Sequence, residues 1–193
     1  MKSITNEIIY SYEIEKSKFI TVINKVNNKD EIDSIMKDIK SKYKDATHYC
    51  YAYIINDIKK SSDDGEPGGT AGVPIMETLN AYNLNYILAV VIRYFGGIKL
   101  GAGGLTRAYR KAINDALVNN KESIIELIDG YIIKISTSYD KQKDIEYKYK
   151  RIINKEYNEN VIYTLEVNIE EYNDIKDKYK IIEENKTKIK AMN

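Results

Sequence analysis

Glycine is concentrated in one stretch of this 193-residue chain, because nine of its ten glycines lie between residues 65 and 104. Both prolines, Pro67 and Pro74, lie in the same stretch. Glycine is unfavourable inside helices and strands, and proteins use it where the backbone turns sharply or approaches another group closely. We therefore expect residues 61–110 to hold most of the irregular backbone, with regular elements on either side.

Arginine follows the same distribution. Three of the four arginines are Arg93, Arg107 and Arg110, and the fourth is Arg151. The guanidinium group is planar and binds carboxylates and phosphates through two parallel hydrogen bonds. This placement favours ion pairing or anion binding close to the glycines.

Composition excludes several classes of protein. A length of 193 residues allows one large domain or two small ones, and 43% hydrophobic with 31% charged residues is typical of a globular chain. The 30 Lys and Arg against 29 Asp and Glu argue against a strongly basic nucleic-acid-binding protein, although not against a local basic patch. The single Cys and single His exclude an internal disulfide and a multi-histidine metal site. We expect a cytoplasmic protein without a membrane span or a signal peptide.

Hydrophobic periodicity predicts alternating strands and helices in the first 120 residues. The run from Tyr86 to Tyr94 is almost continuously apolar, as expected of a central strand. Residues 56–71 read as a polar, glycine-rich loop. The remaining predicted strands cover residues 6–14, 18–26 and 48–55, and the predicted helices cover residues 30–43, 74–82 and 103–119.

The remainder of the chain reads as a second, smaller unit that begins at residue 121. Two strands, 124–128 and 131–136, are predicted to meet in a hairpin at Asp129-Gly130. The order strand, helix, one or two strands, helix, strand is a ferredoxin-like pattern. The later predicted elements are a helix over 140–154, a strand over 161–169, a helix over 170–179 and a strand over 186–191.

Three carboxylates occur close together in the first glycine-rich segment: Asp63, Asp64 and Glu66. Clustered carboxylates can bind a hard cation such as Mg²⁺, and a pair can carry out acid–base catalysis. The alternative is a surface turn that Asp and Ser side chains cap, because any turn uses these residue types. Both interpretations stay open from the sequence.

The second glycine-rich segment leads from a predicted strand into the start of a predicted helix. Free N–H groups and the helix dipole make such a helix end favourable for anions. The alternative is a tight structural loop that packs against residues 65–72. The candidate anion- or RNA-binding residues are Arg93, Gly96, Gly97, Lys99, Gly101, Gly103, Gly104, Arg107 and Arg110.

His48 and Cys50 alternate on one face of a predicted strand. A Cys–His nucleophile pair is conceivable, so His48 joins the candidate catalytic residues. The alternative is a buried cysteine beside a histidine with a structural or phosphate-contacting role, since free Cys is among the most buried residue types. Tyr94 and Phe95, next to the glycines, are candidates for stacking on a base.

Three segments resemble the signature of the YigZ/IMPACT family. The first is His48-x-Cys50-x-Ala52, and the second, SDDGEPxGTAGxP, spans residues 62–74. The third, RYFGGxKLGxGGLxRAY, spans residues 93–109. The resemblance covers about residues 15–118, and the rest of the chain is similar to the C-terminal module of the bacterial members.

The resemblance implies an α+β fold. Residues 1–120 would form an α/β domain similar to domain 2 of ribosomal protein S5. Residues 121–193 would form a ferredoxin-like domain similar to the last domain of elongation factor G. Eukaryotic members of the family regulate translation through a protein partner, and nucleic-acid or ribosome binding is the usual inference for bacterial members.

We therefore expect a translation-associated protein that binds RNA or ribosomal components and uses no cofactor. Two alternatives stay open. One is an enzyme that acts on a phosphorylated small molecule. Its metal or base site would be the acidic loop, which carries Asp63, Asp64 and Glu66, and it would have a cleft between the two glycine-rich segments. The other is a protein-interaction module in a stress or translation pathway.

Overall fold

The computed structural model describes residues 1–191. The chain forms two compact units, Met1–Ile125 and Glu126–Asn193. None of the helices within the described residues is both long and apolar enough to cross a membrane.

The first unit contains a five-stranded antiparallel sheet and three helices. The sheet order from one edge to the other is β2-β3-β6-β4-β5, and the short strand β1 lies outside it. The elements are β1 (Lys2–Ile4), β2 (Ile8–Ile14), β3 (Ser17–Lys25), α1 (Lys29–Lys42), β4 (His48–Ile55), β5 (Ile58–Ser62), α2 (Gly72–Ala81), β6 (Ile87–Tyr94) and α3 (Gly101–Val118).

The central strand β6 is buried on both faces, which explains its continuous apolar sequence. Ala89 and Val91 belong to a core cluster formed with α2 and α3. Leu88 and Val90 belong to a second cluster on the opposite face, which α1 covers. The sheet therefore lies between two helical layers, and the predicted central strand is confirmed.

The connection from β6 to α3 lies against the turn between β2 and β3. A Cβ atom at Gly96 would lie 1.9 Å from the carbonyl oxygen of Lys16, so no larger residue fits there. The N–H of Gly96 donates to the Ser17 hydroxyl at 3.3 Å. Gly96 thus fixes the path by which the chain reaches the start of α3.

The second unit is a four-stranded antiparallel sheet with helices on one face. Ile145 on the first helix and Tyr172 and Ile175 on the second pack against that face. The strands lie in the order β10-β7-β9-β8. The elements are β7 (Ile124–Thr137), α4 (Gln142–Lys148), β8 (Ile152–Tyr157), β9 (Val161–Asn168), α5 (Ile169–Lys178) and β10 (Lys180–Lys190).

The predicted hairpin at Asp129-Gly130 is wrong, because β7 runs without a break through both residues. A Cβ atom at Gly130 would lie 2.6 Å from the carbonyl oxygen of Val167 and 2.6 Å from Cδ1 of Ile189. Glycine is present because two neighbouring strands approach closely at this point, and not because the chain turns there.

Two other predicted elements are also corrected. The helix predicted over residues 140–154 ends at Lys148, and Ile152 begins β8, where it pairs with Leu165 of β9. The loop predicted over residues 56–71 contains the edge strand β5, which pairs with β4. In both places the strand forms because a partner strand is available, which local sequence does not show.

The close contact at Gly130 predicts that Gly130→Ala destabilises the protein by about 1–3 kcal/mol, since the methyl group would overlap backbone. Urea unfolding measures the effect. Gly68→Ala is the matched control, because a Cβ atom at Gly68 meets nothing within 4 Å. Equal stability of the two variants would contradict the packing explanation.

Candidate functional site

A cleft of about 380 Å³ lies in the first unit between the two glycine-rich segments. The start of β4, the end of β6 and the start of α3 meet there. This volume lies within the range of small-ligand sites. The cleft is lined by Thr47, His48, Glu66, Pro67, Arg93, Phe95, Lys99, Leu100, Gly101, Ala102 and Leu105.

A buried ion pair forms one wall of the cleft. Nη1 of Arg93 donates to Oε1 of Glu66 at 2.7 Å, and the two side chains are 5% and 3% exposed. The hydroxyl of Tyr109 donates to the same carboxylate oxygen at 2.7 Å. Nη2 of Arg93 donates to the Ser17 hydroxyl at 3.3 Å. A buried charge pair is tolerated when additional hydrogen bonds support it, and here the Tyr109 and Ser17 hydroxyls supply them.

Two aromatic rings lie beside the guanidinium group of Arg93. The Arg93 Cζ atom is 5.4 Å from the centroid of the Phe19 ring and 5.3 Å from that of Phe95. These distances are within the range of cation–π attraction. The Nε atom of Arg93 is buried and has no hydrogen-bond partner among residues 1–191.

Cys50, the cysteine of the conceivable Cys–His pair, is buried. Burial raises the pKa of Cys50 to about 12, so the thiol stays protonated at neutral pH. Its Sγ atom lies 2.9 Å from the carbonyl oxygen of Asp63 and 3.3 Å from the Tyr109 hydroxyl. Burial also raises the pKa of Tyr109. This cysteine therefore has a packing role.

His48 is held by the backbone of the acidic loop. Its Nδ1 atom lies 2.7 Å from the carbonyl oxygen of Asp64. A carbonyl oxygen only accepts hydrogen bonds, so Nδ1 carries the proton and donates. The Nε2 atom lies 3.9 Å from Oε2 of Glu66 and is the ring nitrogen that a ligand in the cleft can use.

Asp63 organises the acidic loop from inside. Its carboxylate accepts from the N–H groups of Gly69, Ala71 and Gly72 at 2.8–2.9 Å. Burial acts to raise the pKa of Asp63, but these three hydrogen bonds outweigh burial and hold the pKa below its usual value. Because Gly72 begins α2, the Asp63 carboxylate also caps that helix from a distance.

The three clustered carboxylates thus have three different partners. Oδ2 of Asp64 accepts from the N–H of Tyr49 at 2.6 Å, whereas Asp63 binds its own loop and Glu66 binds Arg93. Throughout residues 1–191, no group of three or more His, Cys, Asp or Glu side chains could hold a metal ion.

The start of α3 brings several of the predicted anion-binding residues together. Leu100 precedes the helix and makes no side-chain capping bond, and no side chain within residues 1–191 accepts from the first N–H groups of α3. Gly101 begins the helix with a φ of +69°, a backbone conformation that favours glycine. Lys99 lies directly before this helix end. Gly103 and Gly104 lie within the first turn, and Gly97 turns the preceding loop with a φ of +88°.

The basic side chains of this region fall into two groups. Lys99 and Arg107 line a second groove of about 500 Å³, and neither has an ion-pair partner among the described residues. Arg93 instead pairs with Glu66. Arg110 pairs with Glu77 at 2.5 Å, in an exposed position. The predicted residues that meet on one open surface are therefore Lys99, Arg107 and the glycines at the start of α3.

Known proteins share the sequence of this region. The model of the Impact N-terminal domain matches residues 15–117, more than half of the chain. The chain belongs to the IMPACT family. The member YvyE of Bacillus subtilis is 46% identical over 129 residues, which are 65% of this chain and 58% of YvyE. The member YigZ of Escherichia coli is 40% identical over 110 residues, which are 54% of each chain.

The matched region spans little more than half the length of these two curated relatives. One solved structure, described as that of a hypothetical protein, aligns with 93% of this chain and 95% of its own. Its TM-score is 0.61 at 26% sequence identity. The residues of the cleft all lie within the matched Impact N-terminal domain.

Sequence reasoning missed the partners that position the site in this IMPACT-family chain. Ser17 and Tyr109 hold Arg93 and Glu66, but Ser17 falls between two predicted strands and Tyr109 is predicted only as part of an apolar helix face. One signal was present, because Arg93 is a charged residue within an otherwise apolar central strand. A charge at such a position predicts a buried partner of opposite sign.

The buried ion pair predicts that Glu66→Gln destabilises the first unit by about 3–5 kcal/mol, since the variant leaves the Arg93 charge buried and unpaired. Urea unfolding measures this change. Glu77→Gln is the control, because it breaks the exposed pair with Arg110 and costs about 0–1 kcal/mol. A Glu66→Gln effect as small as that of the control would refute the role given to this pair.

The lowered pKa of Asp63 predicts a pH-dependent stability. A carboxyl group whose pKa is lower in the folded state stabilises the protein above its unfolded pKa, and the contribution is lost as the pH falls through the folded pKa. Asp63→Asn should therefore cost about 1–2 kcal/mol at pH 7 and clearly less below about pH 4. Urea unfolding at several pH values measures both, with the exposed Asp57→Asn as control. A pH-independent difference would contradict the assignment.

Proposed function

We propose that this IMPACT-family protein acts in translation by binding RNA or ribosomal components through the α3 anion surface, defined as Lys99, Arg107 and the first turn of α3. The observation that carries the proposal is that Lys99 and Arg107 line one groove at the start of α3 and have no carboxylate partner among residues 1–191. The neighbouring Arg110 and Lys111 are both paired, with Glu77 and Asp115.

Three features of the surface support the binding of a phosphate backbone. The uncapped N-terminus of α3 presents N–H groups at the positive end of the helix dipole. Lys99 and Arg107 line one groove with Gly104, so both can contact the same bound phosphate backbone. A nucleic acid releases the counterions condensed on its phosphates when unpaired cations of this kind neutralise them, and this release is a main source of affinity.

The role in translation rests on the family. The resemblance of the three motifs implies translational regulation for eukaryotic members. The net charge of +1 argues for a small basic contact area and against a wholly basic face. Binding through such an area should have modest affinity. A ribosomal surface, which presents both RNA and protein, suits such a contact.

We also propose identities for the two units. The first corresponds to a domain like domain 2 of ribosomal protein S5, and the second to a ferredoxin-like domain. The order β10-β7-β9-β8 supports the second assignment, because it places the fourth, first, third and second strands of the unit side by side with two helices on one face. The single reduced Cys50 supports a cytoplasmic location.

The proposal predicts salt-dependent binding of single-stranded RNA. Removing one phosphate contact should lower the slope of log affinity against log salt by about 0.7. We therefore expect Lys99→Ala and Arg107→Ala each to weaken binding and reduce this slope. Fluorescence anisotropy with a labelled RNA at several salt concentrations measures both, and cosedimentation with ribosomes extends the measurement.

Lys60→Ala is the matched control for these variants. Lys60 is exposed on β5, and no ion pair within the described chain involves it. The proposal fails if RNA and ribosomes do not bind at about 50 mM salt, where such contacts are strong. It also fails if the control weakens binding as much as Lys99→Ala and Arg107→Ala.

A further inference from the structure

We propose that the cleft beside the α3 anion surface binds a nucleoside monophosphate group, with the phosphate at the start of α3 and the base against Phe95. This inference rests on the proposed function, because it gives the same helix end a specific ligand. The group could be the terminal nucleotide of an RNA or a free nucleotide. Both sources present the same chemistry, a planar base joined through a ribose to a terminal phosphate.

The phosphate end of the cleft is defined by α3. Lys99, Gly101 and Ala102 line the cleft together, so an anion there contacts an ammonium group and the free N–H groups of the first turn. A second observation is independent of the helix. Arg93 also lines the cleft, its side chain is 95% buried, and its Nε donor has no partner among residues 1–191. A buried donor without a partner is costly and indicates a missing acceptor.

The base end of the cleft is apolar and fixed in position. Phe95 is 44% exposed, although its backbone N–H donates to the Thr47 hydroxyl at 3.0 Å. An exposed aromatic ring on a fixed backbone is what stacking on a base requires. Pro67 and Leu105 add apolar surface to the same cleft. These residues favour a planar ring over a second charged group.

The remaining polar group of the cleft suits a sugar hydroxyl. Nδ1 of His48 donates to Asp64, which leaves Nε2 as the ring nitrogen that can hydrogen-bond to a ribose hydroxyl. The nearby Glu66 carboxylate does not oppose an anionic ligand, because Arg93 compensates its charge. The cleft therefore combines one anion site, one stacking surface and one hydroxyl acceptor.

The experiment compares ligands that contain one part or both parts of the proposed group. Calorimetry with adenosine monophosphate, adenosine and inorganic phosphate separates the base from the phosphate. We expect the monophosphate to bind at least about tenfold more tightly than either part alone, since both ends contribute. Anisotropy with 5′-phosphorylated and 5′-hydroxyl oligoadenylates of equal length distinguishes an RNA end from a free nucleotide.

Two variants test the two ends separately. Phe95→Ala should weaken monophosphate binding by about fivefold or more, which is the lower end of base stacking. Ala102→Pro removes one N–H from the first helical turn, where proline is tolerated, and should weaken binding of the phosphate without changing any charge. Tyr147→Ala removes an exposed aromatic ring of the second unit and Lys60→Ala an exposed charge on β5, and both should bind normally. Thermal unfolding verifies that each variant is folded.

The outcomes separate this inference from the proposed function. If RNA binds through Arg107 but the 5′-phosphate and Phe95→Ala have no effect, the inference is wrong and the proposed function stands. If the monophosphate binds and no RNA or ribosome does, the inference stands for free nucleotides and the proposed function is wrong. If adenosine monophosphate binds no better than phosphate alone, the base site is refuted.

Discussion

The first unit depends on one buried carboxylate. Glu66 comes from the loop after β5, yet a single oxygen of its side chain accepts from Arg93 at the end of β6 and from Tyr109 in the middle of α3. Through Ser17, the same network reaches β3 and the N–H of Gly96. One connected network of hydrogen bonds thus holds segments that are distant in sequence in a fixed arrangement. Ion pairs of this kind add little net stability compared with apolar packing, but an incorrect arrangement leaves a buried charge without a partner. Directional bonds of this kind keep the cleft walls in place.

The secondary structure of the first unit follows closely from the sequence where burial has a regular period. The strand β6 and the helices α1 and α3 are confirmed within one or two residues, because each has an apolar pattern that only one type of element can bury.

The second unit was harder to predict. The boundary between α4 and β8 depends on the pairing of Ile152 with Leu165, which lies thirteen residues further along the chain. Gly130 was misread because a glycine that allows close strand contact and a glycine that forms a turn look the same in sequence.

The candidate site shows the same division between local and distant causes. The exposed Lys99, Arg107 and Phe95 could be identified from residue type and position beside a glycine-rich helix start. The carboxylates could not be told apart in this way. Asp63, Asp64 and Glu66 lie within four residues of sequence, yet one caps α2, one binds the backbone of β4 and one is buried against Arg93. The partner of each carboxylate depends on how the loop folds over β4 and α3. It also depends on the left-handed backbone at Asp64, which has a φ of +43°.

The burial of Cys50 has a practical consequence. It is the single thiol of the chain, it lies in the centre of the first unit, and it is fully shielded from solvent. Because Cys50 is buried, a thiol reagent can reach it only when this unit opens. No other sulfhydryl of the chain competes for the reagent. The rate of its chemical modification reports the opening of the first unit. Cys50 can therefore serve as a chemical probe of local opening in the core of the first unit.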